Sequence, residues 1–366
     1  MTYSTIDDPS QYFQQVLYSG DDSTDREITN TGNSNLQPDL VWIKCRNDSF
    51  DHVWMDSSRG ASTSTTGKQL SSNLTAAEPS NTNGHVKSFN SDGFNVRSGS
   101  SAGNPLVGVN KNAKTYIAWQ WKANGGTTSS NTSGTITSTV QANTTAGFSI
   151  ATYTGNGTAG ATFGHGLGVV PSWVIVKSRD SAQQWAVYHH KNTDAPETEI
   201  LNLNLNNATV DNANRWNDTA PTSTLLTIKQ SGEVNVSGEK YVAYFWNDIQ
   251  GFSKFGEYKG NGSTNGTFVY TGFKPAWVMI KRTDAAKNWY IFNNQIAPDN
   301  VVGNTITANN ADAESGDVST YMDFLSNGFK WRQNFSHGNA DGGTHVYMAF
   351  AEHPFVSSEG VPVTAR

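Results

Sequence analysis

Three segments of this chain repeat one another, and internal repetition constrains a fold more than any local signal. They are QPDLVWIKCRND (37–48), VPSWVIVKSRDS (170–181) and KPAWVMIKRTDA (274–285). In each, a Pro precedes a Lys by six residues: Pro38 and Lys44, Pro171 and Lys177, Pro275 and Lys281. A Tyr-x-Gly turn stands before each, at Tyr18/Gly20, Tyr153/Gly155 and Tyr258/Gly260. A lone Trp follows eight or ten residues past the Lys, at Trp54, Trp185 and Trp289. A Tyr-x-Ala strand closes each unit at Tyr116, Tyr241 and Tyr347, and the Pro-to-Tyr intervals are 78, 70 and 72 residues. Five markers in one order at similar spacing define three homologous modules, expected at 12–126, 147–253 and 254–352. Residues 1–11 are expected to form an N-terminal arm and 353–366 a C-terminal tail. The Thr/Ser/Gly-rich stretch 127–146 reads as a linker, with room for one edge strand near Ile136 and Val140.

Within a module the local signals are strand and turn. Trp173–Val176 is apolar at every position, which fits a strand buried on both faces. YIAWQW, from Tyr116, reads the same way. Glycine turns such as TGNG (154–157) and SNGF (326–329) separate the strands. No window carries the i, i+3, i+4, i+7 pattern of a helix over three turns. The fold class expected is all-β, with three tandem β-sandwich modules, jelly-roll or immunoglobulin-like. Composition agrees: only 15% of residues are charged, yet there are 11 Trp, 13 Tyr and 17 Phe to build cores. A net charge of −6 argues against a nucleic-acid footprint, which needs clustered Lys and Arg. No aliphatic or aromatic run approaches the ~20 residues of a spanning helix. The opening MTYSTIDDPSQYF lacks a basic-then-apolar leader pattern, and the single cysteine, Cys45, permits no intrachain disulfide.

Motifs with catalytic or metal potential resolve into simpler readings. GNGTAG (155–160) spells G-x-G-x-x-G, but ATFGHGLG follows it instead of a helix start, so a hairpin turn is expected. The eight histidines form neither H-E-x-x-H nor H-x-H, and no metal is expected. Asp21, Asp22 and Asp25 cluster without the spacing of a calcium loop and read as a solvated acidic turn. No G-x-S-x-G elbow is present. No enzymatic activity and no cofactor are therefore expected.

Residues shared by all three modules are expected to serve the fold, and residues confined to one are free for recognition. That criterion selects Arg215, Trp216, Trp331, Arg332 and His337 as candidate ligand-binding residues. Arg and Trp concentrate binding energy at interfaces, and indole rings stack on sugars.

The chain also resembles a known family. The motifs TIDDPSQYF, NTNGHVKSFNSDGF, TYIAWQWKA, NTTAGFSIATYTGNG, GHGLG, KFGEYKGNGSTNGTFVYTGFKPAWVMIKRTDA and YMAFAEHPF look like an uncharacterised tandem-repeat family of tailed phages, especially marine phages and cyanophages. The resemblance covers nearly the whole chain. It implies a virion or tail-associated structural protein, made in the host cytoplasm, and brings no catalytic or ligand residues with it. The expected function is a tail-fibre or receptor-binding component contacting host surface glycans. The alternatives are a capsid decoration (cement or head-fibre) protein and a tail-associated glycan depolymerase. Expected partners are other virion proteins through the N-terminal arm, a host glycan and further copies of the chain, with a trimer favoured. Neither nucleic acid nor membrane insertion is expected.

Overall fold

A computed structural model describes residues 3–59, 68–78, 84–98, 108–317 and 320–363. The described residues are all-β, and their helical content is three short 3-10 turns. The strands form six sheets, two per repeat.

Each repeat owns one large sheet in which four strands have the same order. In repeat one they are Phe13–Ser19, Thr115–Trp121, Leu40–Cys45 and Val53–Asp56. In repeat two they are Phe148–Thr154, Lys240–Trp246, Trp173–Ser178 and Ala186–His189. In repeat three they are Ser253–Lys259, Thr344–Pro354, Phe273–Arg282 and Tyr290–Asn293. Every pairing is antiparallel. The prolines stand in equivalent places, two residues before Leu40, Trp173 and Trp277, each of which faces the closing strand at Trp121, Trp246 or Phe350. A strand start suits proline, which has no N–H for the ladder. In repeat three the strand runs back past Pro275, and the register shifts on both sides of it.

The doubly apolar strands have two different jobs. On one face Val41 and Ile43 share a core with Ile28, Phe94 and Val96 of a small sheet in the same repeat. Val174 and Val176 do so with Phe163, Leu226 and Ile228, and Val278 and Ile280 with Val269, Phe329 and Trp331. On the other face Leu40, Trp42, Trp173, Ile175, Trp277 and Met279 all enter a single core common to the three repeats. Because side chains alternate across a strand, an unbroken apolar run is what this double burial requires. The shared core is dense in indoles: Trp54 lies 5.3 Å from Trp185, and Trp173 lies 5.7 Å from Trp289.

Hydrogen bonds close the three repeats into a ring. The Glu314 N–H donates to the Arg46 carbonyl, Thr209 to Thr283, and Glu78 to Arg179. Each bond joins a different pair of repeats, at the residue two past the repeated Lys.

Three sequence expectations need correction. The stretch 127–146 holds two strands where one edge strand is expected from sequence: Ser138–Asn143, which carries Val140, and Ser129–Asn131 extend the large sheet of repeat two, which has eight strands. Gln141 in this stretch also donates to Ser57 Oγ of repeat one, at 2.7 Å. The N-terminal arm does not project. Ser4 and Ile6 are buried, and Asp7 accepts the Ser358 N–H at 2.7 Å. That contact ties the arm to the C-terminal tail; residues 1–2 and 364–366 of these two segments lie outside the described residues. Finally, two repeat markers shift. Position 345 is the true match of Tyr116 and Tyr241, because His345 pairs with Tyr258 as they pair with Tyr18 and Tyr153. The three ring pairs stack alike, with centroids 5.1, 5.2 and 4.9 Å apart.

Candidate functional site

The second shifted marker is His52. It precedes the strand paired with Leu40–Cys45, as Trp185 and Trp289 precede theirs, whereas Trp54 faces Trp42. Each of these three backbone N–H groups is held by an Asn side chain: Asn73, Asn204 or Asn309. Each ring nitrogen then reaches a carbonyl of a neighbouring repeat. Trp185 Nε1 donates to Ser71 at 3.0 Å, Trp289 Nε1 to Asn202 at 3.0 Å, and His52 Nε2 bonds Thr307 at 3.0 Å. His52 Nδ1 accepts the Trp42 indole N–H at 2.8 Å, so the imidazole is neutral with its proton on Nε2.

The repeated lysines belong to the same seams. Lys177 Nζ donates to the Thr75 carbonyl of repeat one, and Lys281 Nζ to Asn206 of repeat two. Lys44 stays within its own repeat, bonding the Cys45 and Asp48 carbonyls. Burial holds Lys44 and Lys177 down at about 8 and Lys281 at about 7. All three side chains are enclosed and occupied by carbonyls: Lys177 and Lys281 brace neighbouring repeats, and Lys44 braces its own.

The five residues selected from sequence are not brought together. Trp216 is fully buried in the outer core of repeat two, and its Nε1 donates to the Glu199 carbonyl at 3.1 Å. Trp331 is fully buried in repeat three, with Nε1 on Tyr258 Oη at 3.0 Å. Neither indole has a face to offer a sugar, so both are corrected to core residues. Arg215 is paired with Glu233 at 2.5 Å and is also largely enclosed. Arg332 is exposed and pairs with Asp323 at 3.2 Å. His337 is half-buried between Phe335 and Tyr290, and burial lowers it to about 4.

The other motifs have structural roles. The GNG turn is clasped by Asn235, whose Oδ1 accepts the Asn156 N–H at 2.8 Å and the Gly157 N–H at 3.2 Å. Asn339 holds Asn261 in repeat three, and Asn110 holds Asp21 in repeat one. These buried asparagines form a repeat marker that sequence reading missed, although their positions are legible once the turns are aligned. Asp21, Asp22 and Asp25 each pair with a base, Arg26, Lys111 and Lys87 respectively. No cluster of three or more metal-ligating side chains occurs among the described residues. No helix among them is long and apolar enough to cross a membrane.

One surface concavity combines apolar and polar groups without belonging to the seams. A cavity of about 480 Å³ lies where both chain ends meet repeat three. Tyr3, Tyr270 and Phe355 supply its rings, and Asp248, Gln250 and Lys254 its polar groups. Asp248 is anchored by the Phe255 N–H at 2.8 Å and paired with Lys254.

The buried histidines predict acid sensitivity. Burial holds His52 and His189 at about 3, and His345, like His337, at about 4. The unfolded chain binds these protons near pH 6.5, so between pH 6.5 and 3 it holds more protons than the native state. Stability from these groups is complete above pH 6.5 and falls progressively below it. Urea unfolding at pH 7, 5.5 and 4.5 should give midpoints that decline in that order. A flat series would show that these imidazoles protonate freely in the native fold.

A family model described as a domain of unknown function (DUF7483) matches residues 8–354, spanning all three repeats, and the chain belongs to that family. No curated protein and no solved structure matches it.

Proposed function

We propose that this member of the DUF7483 family is a non-enzymatic phage virion protein, a tail-fibre or receptor-binding component that contacts host surface glycans. The observation carrying the reading is the closed ring of three repeats around one aromatic core. Such a body is rigid, and a rigid scaffold places binding groups on its surface loops and edges. Lys177, Lys281, His52, Trp185 and Trp289, polar side chains at the repeated positions, are engaged in holding the repeats together. The resemblance of the quoted motifs to tailed-phage repeat proteins supplies the virion context.

The ring also changes the expected assembly. A homotrimer builds a three-fold core between chains, and here a comparable core lies inside one chain. We therefore propose that a single chain acts as the three-fold unit, in place of the homotrimer expected from sequence. Capsid decoration is the second reading, because a body of three like repeats matches a local three-fold axis of a shell. Cryo-EM localisation on the particle separates the two. Density at the tail tip or fibres supports attachment, density on the head lattice supports decoration, and absence from purified particles overturns both.

A further inference from the structure

Comparison between the repeats separates rings the fold requires from rings it does not. Among the described residues, the exposed aromatic rings are Tyr3, Phe268 and Tyr270, with Tyr270 the most exposed at 60%. Phe268 and Tyr270 lie on the small-sheet strand Phe268–Tyr270, pointing outward, while Val269 between them is buried. The pairing registers identify the matching positions in the other repeats. Val269 faces Phe329, Ile28 faces Phe94, and Phe163 faces Leu226. The outward neighbours are therefore Glu27 and Thr29 in repeat one, and Thr162 and Gly164 in repeat two. In repeat two these positions are covered by the 131–135 segment, with Gly164 buried against Asn131; in repeat one, where they are exposed as in repeat three, they hold the polar Glu27 and Thr29. The fold does not ask for Phe268 or Tyr270.

We infer that Tyr270, with Tyr3 across the cavity, forms a stacking platform for a sugar of a host-surface oligosaccharide, with Asp248, Gln250 and Lys254 bonding its hydroxyls. The inference rests on the attachment reading above and gives that reading a site. The cavity, about 480 Å³, lies within the ~300–1,000 Å³ typical of small-ligand sites. Its chemistry suits a glycan, whose rings present C–H faces to aromatics and hydroxyls to polar neighbours. Tyrosine suits a half-wet contact, with an apolar ring and a hydroxyl left in water. Two glycines lie beside the rings and the N-terminal segment that border the cavity. Gly272, at φ +85°, lies under the Tyr270 ring, and a Cβ on Gly251 would strike Ser4 of the N-terminal segment at 2.8 Å. The platform is separate from the five residues selected by sequence, and it meets two conditions those indoles fail: it is specific to one repeat, and it is exposed.

The test probes the purified full-length chain on a printed array of bacterial surface oligosaccharides, beside Tyr270→Ala, Tyr3→Ala and Tyr270→Phe. Melting curves confirm that each variant folds, as exposed positions should allow. The expected result is binding by the wild type, a loss of at least ten-fold for Tyr270→Ala, a smaller loss for Tyr3→Ala, and retention by Tyr270→Phe, which keeps the ring. Wild-type binding undiminished in Tyr270→Ala would overturn the platform and leave the attachment reading standing. No binding by the wild type to any glycan on the array would overturn both.

Discussion

Replacing Trp277 with Ala is expected to destabilise the whole chain by about 3–5 kcal/mol, the usual loss for a buried large aromatic, and in one transition. Three modules with separate cores would confine the loss to the third. The structure removes that premise. The Trp277 ring lies 6.5, 6.2 and 5.9 Å from Trp42, Trp119 and Trp121 of repeat one, and 6.0 Å from Phe350 of its own repeat. Truncation therefore opens a void at a seam between repeats, where neither side can collapse without moving a whole sheet. Calorimetry should show one endotherm at lower temperature. Two endotherms, one of them unmoved from the wild type, would mean that the repeats unfold independently.

The repeats were legible because the Pro-to-Lys interval is fixed by a strand that enters, crosses and leaves the large sheet in the same register each time. Double burial was legible as well, since a run like Trp173–Val176 leaves no face for water. What lies on each face was not. Alternation assigns Trp173 and Val174 to opposite faces, but says nothing about which meets the small sheet and which meets another repeat. The ring of repeats is built from backbone carbonyls and from positions such as 52, where His replaces Trp, and neither leaves a composition signal. The two indoles among the candidate site residues fell to the core for a related reason. Trp331 belongs to one repeat only, yet its equivalents Val96 and Ile228 are buried too, each two residues past the matching Phe94 or Leu226. A residue unique to one repeat is as often a different way of filling a shared core as a recognition group. Uniqueness becomes informative only with exposure, and exposure is not written in the sequence.

The second large effect is electrostatic. Asp56→Leu should destabilise the protein by about 3–5 kcal/mol, because it strands a buried cation. Both side chains of the Asp56–Arg59 ion pair are fully enclosed. Asp56 Oδ1 also accepts the Ser58 and Arg59 backbone N–H groups at 3.0 Å, and Oδ2 accepts the Tyr244 hydroxyl of repeat two at 2.6 Å. Arg59 continues the network to the Trp54 carbonyl at 3.0 Å and toward Glu78, which pairs with Arg179 of repeat two. The carboxylate thus joins two repeats through neighbours that have no water to replace it. Removing it alone leaves a buried guanidinium without its contacting carboxylate and a buried hydroxyl without its acceptor, and both penalties are large. Removing both charges should cost less, since well-packed apolar groups often substitute for a buried pair without loss. Asp56→Leu/Arg59→Met is therefore expected to be more stable than Asp56→Leu, even though it carries one more substitution. Urea midpoints of the two variants and the wild type decide the matter. A double variant less stable than the single one would mean that Arg59 holds the seam through its carbonyl contacts and not through Asp56.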